Sequence, residues 1–139
     1  IAINHPKDVL SAMDEWSRRH HQASGLTDRA KASPYDSAGA EQETLEFLSY
    51  HCEEGKSPLC GNSIWQDRRF LAKHMPLLHE FFHYRIIDVS SIKELVKRWY
   101  PSLPPFEKQK AHLALMDIKE SIKELKYYRQ NVFVPVGQT

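Results

Sequence analysis

The sequence predicts an α/β fold that is mostly helical with a reduced sheet, because helical and strand-like patterns alternate along the chain. Apolar residues three or four positions apart are typical of a helix, as over residues 113–128. Two short segments, residues 59–64 and 84–89, have the composition of buried strands. A typical sheet has about four to six strands. We therefore expect further strands from residues before Ile1 or from a partner chain.

Helical segments are predicted before the first strand. Apolar residues at helical spacing predict a helix over residues 7–19. Residues 24–40 are rich in Ser, Gly, Ala and Asp, which predicts connections around a short helix. A longer helix is predicted over residues 40–52, with Gly55 and Pro58 marking its end.

Three more helices are predicted after the first strand. Asp67 is expected to open a helix that Pro76 interrupts. Ser91 and Glu94 have the spacing of a capping box, in which the serine caps the helix and the glutamate is its third residue. That helix is expected to stop at Pro101, and the last helix covers residues 113–128.

Length and composition narrow the class of protein. The 139 residues suit a single domain, 1–139, with a real core. The formal net charge of +1 is weak evidence against a protein that tracks long nucleic acid, but it permits a short oligonucleotide. No apolar run is long enough to cross a bilayer, so no membrane partner is expected. Cys52 and Cys60 lack a zinc-like spacing and are expected to be reduced thiols.

Asp67 is the first candidate for chemistry. It follows a predicted strand and opens a helix, and α/β proteins often bind ligands at the carboxyl ends of their strands. A first-turn aspartate is also favoured by the helix dipole alone. On position alone, the structural interpretation is the stronger of the two.

His112 and Asp117 form a second candidate pair near the start of the last helix. Five residues of ideal helix turn through about 500°, so the two side chains would share a face only if His112 preceded the helix. A loop histidine and two aspartates from separate elements could perform metal-assisted hydrolysis. A surface histidine and a solvated aspartate fit the spacing equally well.

Aromatic and basic residues suggest contacts with nucleic acid. Trp16, His21 and Tyr84 are candidates for stacking on bases. Pattern alone favours a core position for Trp16, because it continues an apolar stripe, while both interpretations stay open for Tyr84. Arg85 adjoins a strand, where a guanidinium could bind a phosphate. Most other basic residues, such as Arg68, are expected at the solvated surface.

A set of short motifs runs in unbroken order along nearly the whole chain. They are Met13-Asp14-Glu15-Trp16, His21, Ser24-Gly25-Leu26, Cys60-Gly61-Asn62-Ser63-Ile64, Gln66-Asp67-Arg68-Arg69-Phe70-Leu71, His83-Tyr84-Arg85, Asp88-Val89-Ser90, and His112, Ala114 and Asp117-Ile118. Together, though not singly, they closely resemble the oligoribonuclease family. Residues 83–100 are more similar to the eukaryotic members, the small-fragment nucleases, than to the bacterial ones.

The resemblance implies a ribonuclease-H-like α/β/α fold of the DEDDh exonuclease type. In that family four acidic residues hold two Mg²⁺ or Mn²⁺ ions and a histidine is the general base. Asp67 matches the third acid, Asp117 the fourth and His112 the histidine. Met116 stands where family members often carry a further aspartate. The first two acids, an Asp-x-Glu on the first strand, have no match among these residues.

The implied activity is 3′-to-5′ hydrolysis of very short RNA, with dinucleotides favoured, to mononucleotides. The family is homodimeric, and Tyr84 would reach into the partner subunit's site. Cytoplasmic or mitochondrial localisation is implied, with any targeting segment outside this chain. The residues with an implied substrate role are Trp16 and His21 in the pocket, Ser63, Arg85 and Ser90 near the terminal phosphate, and Tyr84.

The unmatched Asp-x-Glu pair predicts that this chain is the C-terminal three-quarters of the domain and is inactive alone. The alternative is a non-catalytic nuclease fold that binds nucleotide or dimerises without hydrolysis. A DNA-proofreading relative is a third hypothesis, because the same four acids serve both activities. The His83-Tyr84-Arg85 motif and the pair Trp16 and His21 argue against it.

Overall fold

The structure is a computed structural model that describes residues 1–108 and 114–133. Within those ranges, helices account for most of the chain, and strands β1 (Pro58–Gly61) and β2 (His83–Asp88) form a two-stranded parallel sheet. The prediction of a mostly helical α/β chain with a reduced sheet is confirmed. The helices are α1 (Lys7–Ser11), α2 (Glu15–Ala23), α3 (Leu26–Ala32), α4 (Ser37–Ser49), α5 (Ile64–His74), α6 (Pro76–Phe81), α7 (Val89–Trp99) and α8 (Ala114–Asn131).

The chain divides into two compact units. The N-terminal unit contains Ile1–Ser57 and Phe70–Phe82, and the sheet unit contains Pro58–Arg69 and His83–Thr139. Helix α5 begins in the sheet unit and ends in the N-terminal unit. The prediction of a single domain stays a prediction. In the described part of the chain, no helix combines the length and hydropathy of a membrane span.

The N-terminal unit is built around helices α4 and α6. Ala40, Met75 and Leu78 are buried together at its centre. Helix α6 begins with Pro76, and the backbone N–H of Leu78 in its first turn has no partner within the helix. The carboxylate of buried Glu41 accepts a hydrogen bond from that N–H at 2.9 Å. This bond satisfies both buried groups and ties α6 to α4.

Two helix starts differ from the sequence predictions because aspartates cap them. The prediction of one helix over residues 7–19 is wrong. Asp14 is extended and accepts a hydrogen bond from the Ser17 N–H at 2.9 Å, which starts a second helix. Similarly, Asp36 accepts from the Gly39 N–H at 2.8 Å, so α4 starts three residues before the predicted position.

The core of the sheet unit lies where α7 and α8 pack on each other and on β1. Val89, Val96 and Tyr128 are buried there. Buried Glu124 accepts a hydrogen bond from the Tyr128 hydroxyl at 3.0 Å. The Lys108 ammonium lies 2.6 Å from the same carboxylate, so the buried negative charge has a cation beside it.

The strand and helix boundaries in the sheet unit also differ from those predicted. The strand predicted over residues 59–64 ends at Gly61, and Ile64 is already the first residue of α5. The capping box prediction is wrong, because α7 begins two residues before Ser91. Its N-cap is Asp88, which accepts from the Ser90 N–H at 2.9 Å.

Candidate active site

The two parallel strands end at the same edge of the sheet. Gly61, the last residue of β1, lies opposite Asp88, the last residue of β2. Polar residues lie just beyond both strand ends: Asn62 and Ser63 directly follow β1, and Ser90 follows β2 after the buried Val89. Ligand sites of α/β proteins often form at such an edge.

A cleft of about 570 Å³ opens beside this edge, between the β1–α5 segment and helix α8. Asp67, in the first turn of α5, and Asp117, in the first turn of α8, both line it. Both side chains are exposed. The structure therefore brings two carboxylates from separate helices to one solvent-accessible cleft.

His112 lies outside the described residues, because the structure describes residues 1–108 and 114–133. Its predicted position beside the two aspartates stays a prediction. In the described part of the chain, no group of three or more His, Cys, Asp or Glu side chains is placed to hold a metal ion. The donor chemistry of Asp67 and Asp117 nevertheless suits a hard divalent cation, because Mg²⁺ and Mn²⁺ prefer oxygen ligands.

Ser63 and Ser90 lie side by side at the strand ends, with their hydroxyl oxygens 3.2 Å apart. The Ser63 N–H donates to Asp88 Oδ1 and to Ser90 Oγ, both at 2.9 Å. Ser63 has a positive φ of 53°, which is uncommon for a residue other than glycine. The two hydrogen bonds hold its backbone in this conformation, which places the Ser63 and Ser90 hydroxyls together.

The amide of Asn62 links this hydroxyl pair to helix α8. Asn62 Oδ1 accepts from Ser90 Oγ at 3.1 Å, and Nδ2 donates to Ser121 Oγ at 2.7 Å. Ser121 Oγ in turn donates to the backbone carbonyl of Asp117 at 2.8 Å. No role was predicted from the sequence for Asn62, Asp88 or Ser121. Asn62 and Asp88 could have been found from the polar residues at the ends of the two predicted strands.

Tyr84 and Arg85 lie on β2 and are exposed. Tyr84 is 72 % exposed, and its ring lies against the His83 ring, with 4.4 Å between centroids. The guanidinium carbon of Arg85 lies 5.3 Å from the Tyr84 centroid, within cation–π range. Arg68 donates to the backbone carbonyl of His83 at 2.7 Å, so it anchors the start of β2 instead of being simply solvated.

Trp16 and His21 belong to the N-terminal unit, on helix α2. Trp16 is 64 % exposed and stacks on His20, with 4.0 Å between ring centroids. The core position favoured by the apolar stripe is therefore wrong. His21 lines a cavity of about 340 Å³ together with apolar residues such as Leu26 and Ala30.

Comparisons with known proteins show which family this chain resembles. A family model described as an exonuclease matches residues 4–125, across both units. An oligoribonuclease from Shewanella loihica is 57 % identical over 134 residues, which are 96 % of this chain and 74 % of that protein. One from Marinobacter nauticus is 59 % identical over the same shares.

An oligoribonuclease from Hydrogenovibrio crunogenus is 56 % identical over 139 residues, which are 99 % of this chain and 76 % of that protein. These three relatives are bacterial. They support the assignment of the family. The predicted closer similarity of residues 83–100 to the eukaryotic members stays a prediction.

Proposed function

The chain belongs to the oligoribonuclease family of exonucleases, which has a ribonuclease-H-like fold, and from this premise we propose how its residues contribute to 3′-to-5′ hydrolysis of very short RNA. Asp67 and Asp117 hold divalent cations, and His112 is the general base. The observation that carries this proposal is the single cleft lined by both aspartates.

Exonucleases of this family generally use divalent metal ions. Asp67 and Asp117 would hold Mg²⁺ or Mn²⁺ through carboxylate oxygens, which are the ligands these ions prefer. Two such ions, when bound, stabilise the attacking and leaving oxygens of a phosphodiester. The exposed position of both carboxylates makes them accessible from solvent. His112 would take the proton of the attacking water as the phosphodiester bond breaks.

The hydroxyls at the strand ends would receive the terminal phosphate. Ser63 and Ser90 present adjacent hydroxyls, and phosphate oxygens accept hydrogen bonds from such groups. Arg85 is exposed on the neighbouring strand and would add a positive charge. A site that closes around a terminal phosphate favours dinucleotides, because a longer chain would have to extend past it.

Base recognition and dimerisation complete the proposal. Trp16 is exposed, as a ring that stacks on a base must be, and His21 lines a cavity in the same unit. Tyr84 would contact the partner subunit's cleft in a homodimer. Its 72 % exposed ring, flanked by His83 and Arg85, is available for such a contact.

We further propose that these 139 residues alone do not hydrolyse RNA at the rate of the complete site. They supply Asp67 and Asp117 but contain no Asp-x-Glu sequence. Two carboxylates provide few anionic oxygens for two cations, and Mg²⁺ requires near-octahedral coordination. The alternative, a module that binds nucleotide without hydrolysis, is favoured by the same shortage of ligands in the described residues.

The test compares this chain with an extended protein. The extended protein is this chain joined to the part of the Shewanella loihica relative that has no counterpart in it. Both are incubated with a labelled RNA dinucleotide and Mg²⁺ or Mn²⁺, and mononucleotide release is measured. We expect release by the extended protein, loss of release in its His112→Ala variant and little release by the 139 residues. The exposed Asp8→Asn variant is the matched control.

Each part of the proposal has its own contrary result. Equal rates for the two proteins would overturn the proposed dependence on further ligands. An unchanged rate in His112→Ala would overturn the general base. Binding of the dinucleotide by the extended protein without any mononucleotide release would support the alternative.

A further inference from the structure

The hydrogen bonds around Asn62 have one consistent direction. Ser121 has a single hydroxyl proton, and it is donated to the carbonyl of Asp117, which can only accept. Ser121 Oγ must therefore accept its bond from Asn62, so the amide nitrogen faces Ser121 at 2.7 Å. The amide oxygen then faces Ser90, which must donate to it at 3.1 Å.

The direction of the bonds between Ser90 and Ser63 follows from the same count of hydroxyl protons. Since the Ser90 proton is donated to Asn62, Ser90 Oγ can only accept from its other neighbours. It accepts from the Ser63 N–H at 2.9 Å, and the Ser63 hydroxyl must be the donor of the 3.2 Å contact between the two serines. The hydrogen-bond donors are thus fixed along the whole series from Ser63 to the backbone of Asp117.

Asn62 is the side chain in this series whose donor and acceptor are separate atoms, the amide nitrogen and the amide oxygen. Its oxygen orients the Ser90 and Ser63 hydroxyls, while its nitrogen orients Ser121 and, through it, the turn of α8 that carries Asp117. Asn62 is half-buried, and its bond to Ser121 joins residues 59 positions apart in sequence. Such a link fixes elements that the backbone does not connect locally.

We propose that Asn62 is a positioning residue that aligns the Ser63 and Ser90 hydroxyls with the metal-binding carboxylate of Asp117. The Ser63 proton, in the 3.2 Å contact that is the longest of the series, is the one that turns to a phosphate oxygen, while Ser90 keeps its bond to Asn62. This inference rests on the proposed function and deepens it. Asn62 itself neither binds the cation nor contacts the reacting phosphorus in this arrangement. It acts through Ser90 on one side of the site and through Ser121 on the other, as residues behind metal ligands commonly do.

The two ends of the amide can be tested separately in the extended protein. Asn62→Asp keeps the size and an acceptor for Ser90 but removes the donor to Ser121. We expect kcat to fall about ten-fold, the effect typical of a residue behind a ligand, with KM nearly unchanged. Asn62→Ala removes both ends, so we expect the same fall in kcat and a several-fold rise in KM.

A double-mutant comparison tests the connection itself. Ser121→Ala should lower kcat about ten-fold, and adding it to Asn62→Ala should lower kcat no further, because both act on the same bond. A fall in kcat equal to the product of the two single falls would show that the two residues act independently, and it would overturn the proposal. Asn131→Ala, at the far end of α8, removes an amide that donates to Tyr127 of the same helix and is the matched control.

A second measurement does not depend on activity. In the ¹⁵N spectrum of the 139-residue chain, the side-chain amide protons of Asn62 should be shifted and slow to exchange, and Ser121→Ala should abolish both properties. Unprotected Asn62 protons overturn the proposed hydrogen bonds. If the extended wild type is active but kcat and KM of Asn62→Ala equal those of Asn131→Ala, the positioning role is overturned. If the extended wild type is inactive, the proposed function itself fails.

Discussion

Helix α8 carries two carboxylates with opposite environments. Asp117 and Glu124 are seven residues apart, so they lie on nearly the same side of the helix, about two turns from each other. Asp117 is exposed and lines the cleft, whereas Glu124 is only 1 % exposed. Lys108 and the Tyr128 hydroxyl lie against Glu124. Burial and partners, not residue type, therefore decide which carboxylate a ligand can reach.

The difference in burial suggests that Asp117 serves function and that Glu124 serves stability, although both lie on α8. A buried carboxylate without its partners would cost several kcal/mol in the folded state, as is typical of buried ions. An exposed carboxylate costs little, because water solvates it. We therefore expect substitutions at Asp117 to change activity without changing stability, and substitutions at Glu124 to do the reverse.

The largest expected effect is that of Asp117→Asn on hydrolysis. Loss of one anionic ligand should lower kcat/KM of the extended protein by about a thousand-fold or more, since metal-assisted charge stabilisation contributes several kcal/mol. The midpoint of urea unfolding should stay within the error of the wild type. A large drop in that midpoint would mean that Asp117 also supports the fold, which would break the contrast.

Glu124→Ala should have the next largest effect, on the free energy of unfolding. Removing the carboxylate leaves Lys108 and the Tyr128 hydroxyl without their partner, and we expect a loss of about 3 kcal/mol. Urea denaturation of the 139-residue chain measures it. Asp117→Ala is the matched control on the same helix, and a loss at Glu124 no greater than at Asp117 would contradict the prediction.

Tyr128, the buried partner of Glu124, should make the stability of the protein depend on pH in the alkaline range. Burial, with the nearby Glu124 carboxylate, raises the pKa of the Tyr128 hydroxyl above its usual range. The folded state therefore keeps this proton when the unfolded state begins to lose it, so the contribution of Tyr128 to stability is complete below about pH 10 and falls above it. Tyr128→Phe should lose stability less steeply above that pH, measured by thermal unfolding at stepwise pH.

The sequence predicted the fold class better than it predicted the contacts that hold the cleft residues in place. Strand and helix periodicities depend on local spacing, so β1, β2 and α7 were recognisable within a few residues. The caps at Asp14 and Asp88 were missed because polar residues inside an apolar pattern do not show which backbone N–H they will bind.

Contacts distant in sequence were hidden for a different reason. The bond between Asn62 and Ser121 depends on where α8 packs, which no local pattern encodes. Burial of Glu124 was equally hidden, since its spacing from Asp117 suggests the same environment for both. The resemblance to oligoribonucleases implied roles for Asp67 and Asp117, but it implied none for the Asn62 amide or for the buried ion pair of Glu124.

The smallest effects are expected at Ser63, where two substitutions separate backbone strain from the hydroxyl. Ser63→Gly relieves the positive φ but loses the bond to Ser90, and these changes should nearly cancel, leaving stability within about 0.5 kcal/mol of the wild type. Ser63→Ala keeps the strain and loses the bond, so it should be less stable by about 1 kcal/mol. Both variants lack the hydroxyl, so both should raise the KM of the extended protein for an RNA dinucleotide by the same several-fold factor. A normal KM in Ser63→Gly would show that the serine is present for its backbone alone, and the phosphate contact would then have to come from Ser90 and Arg85.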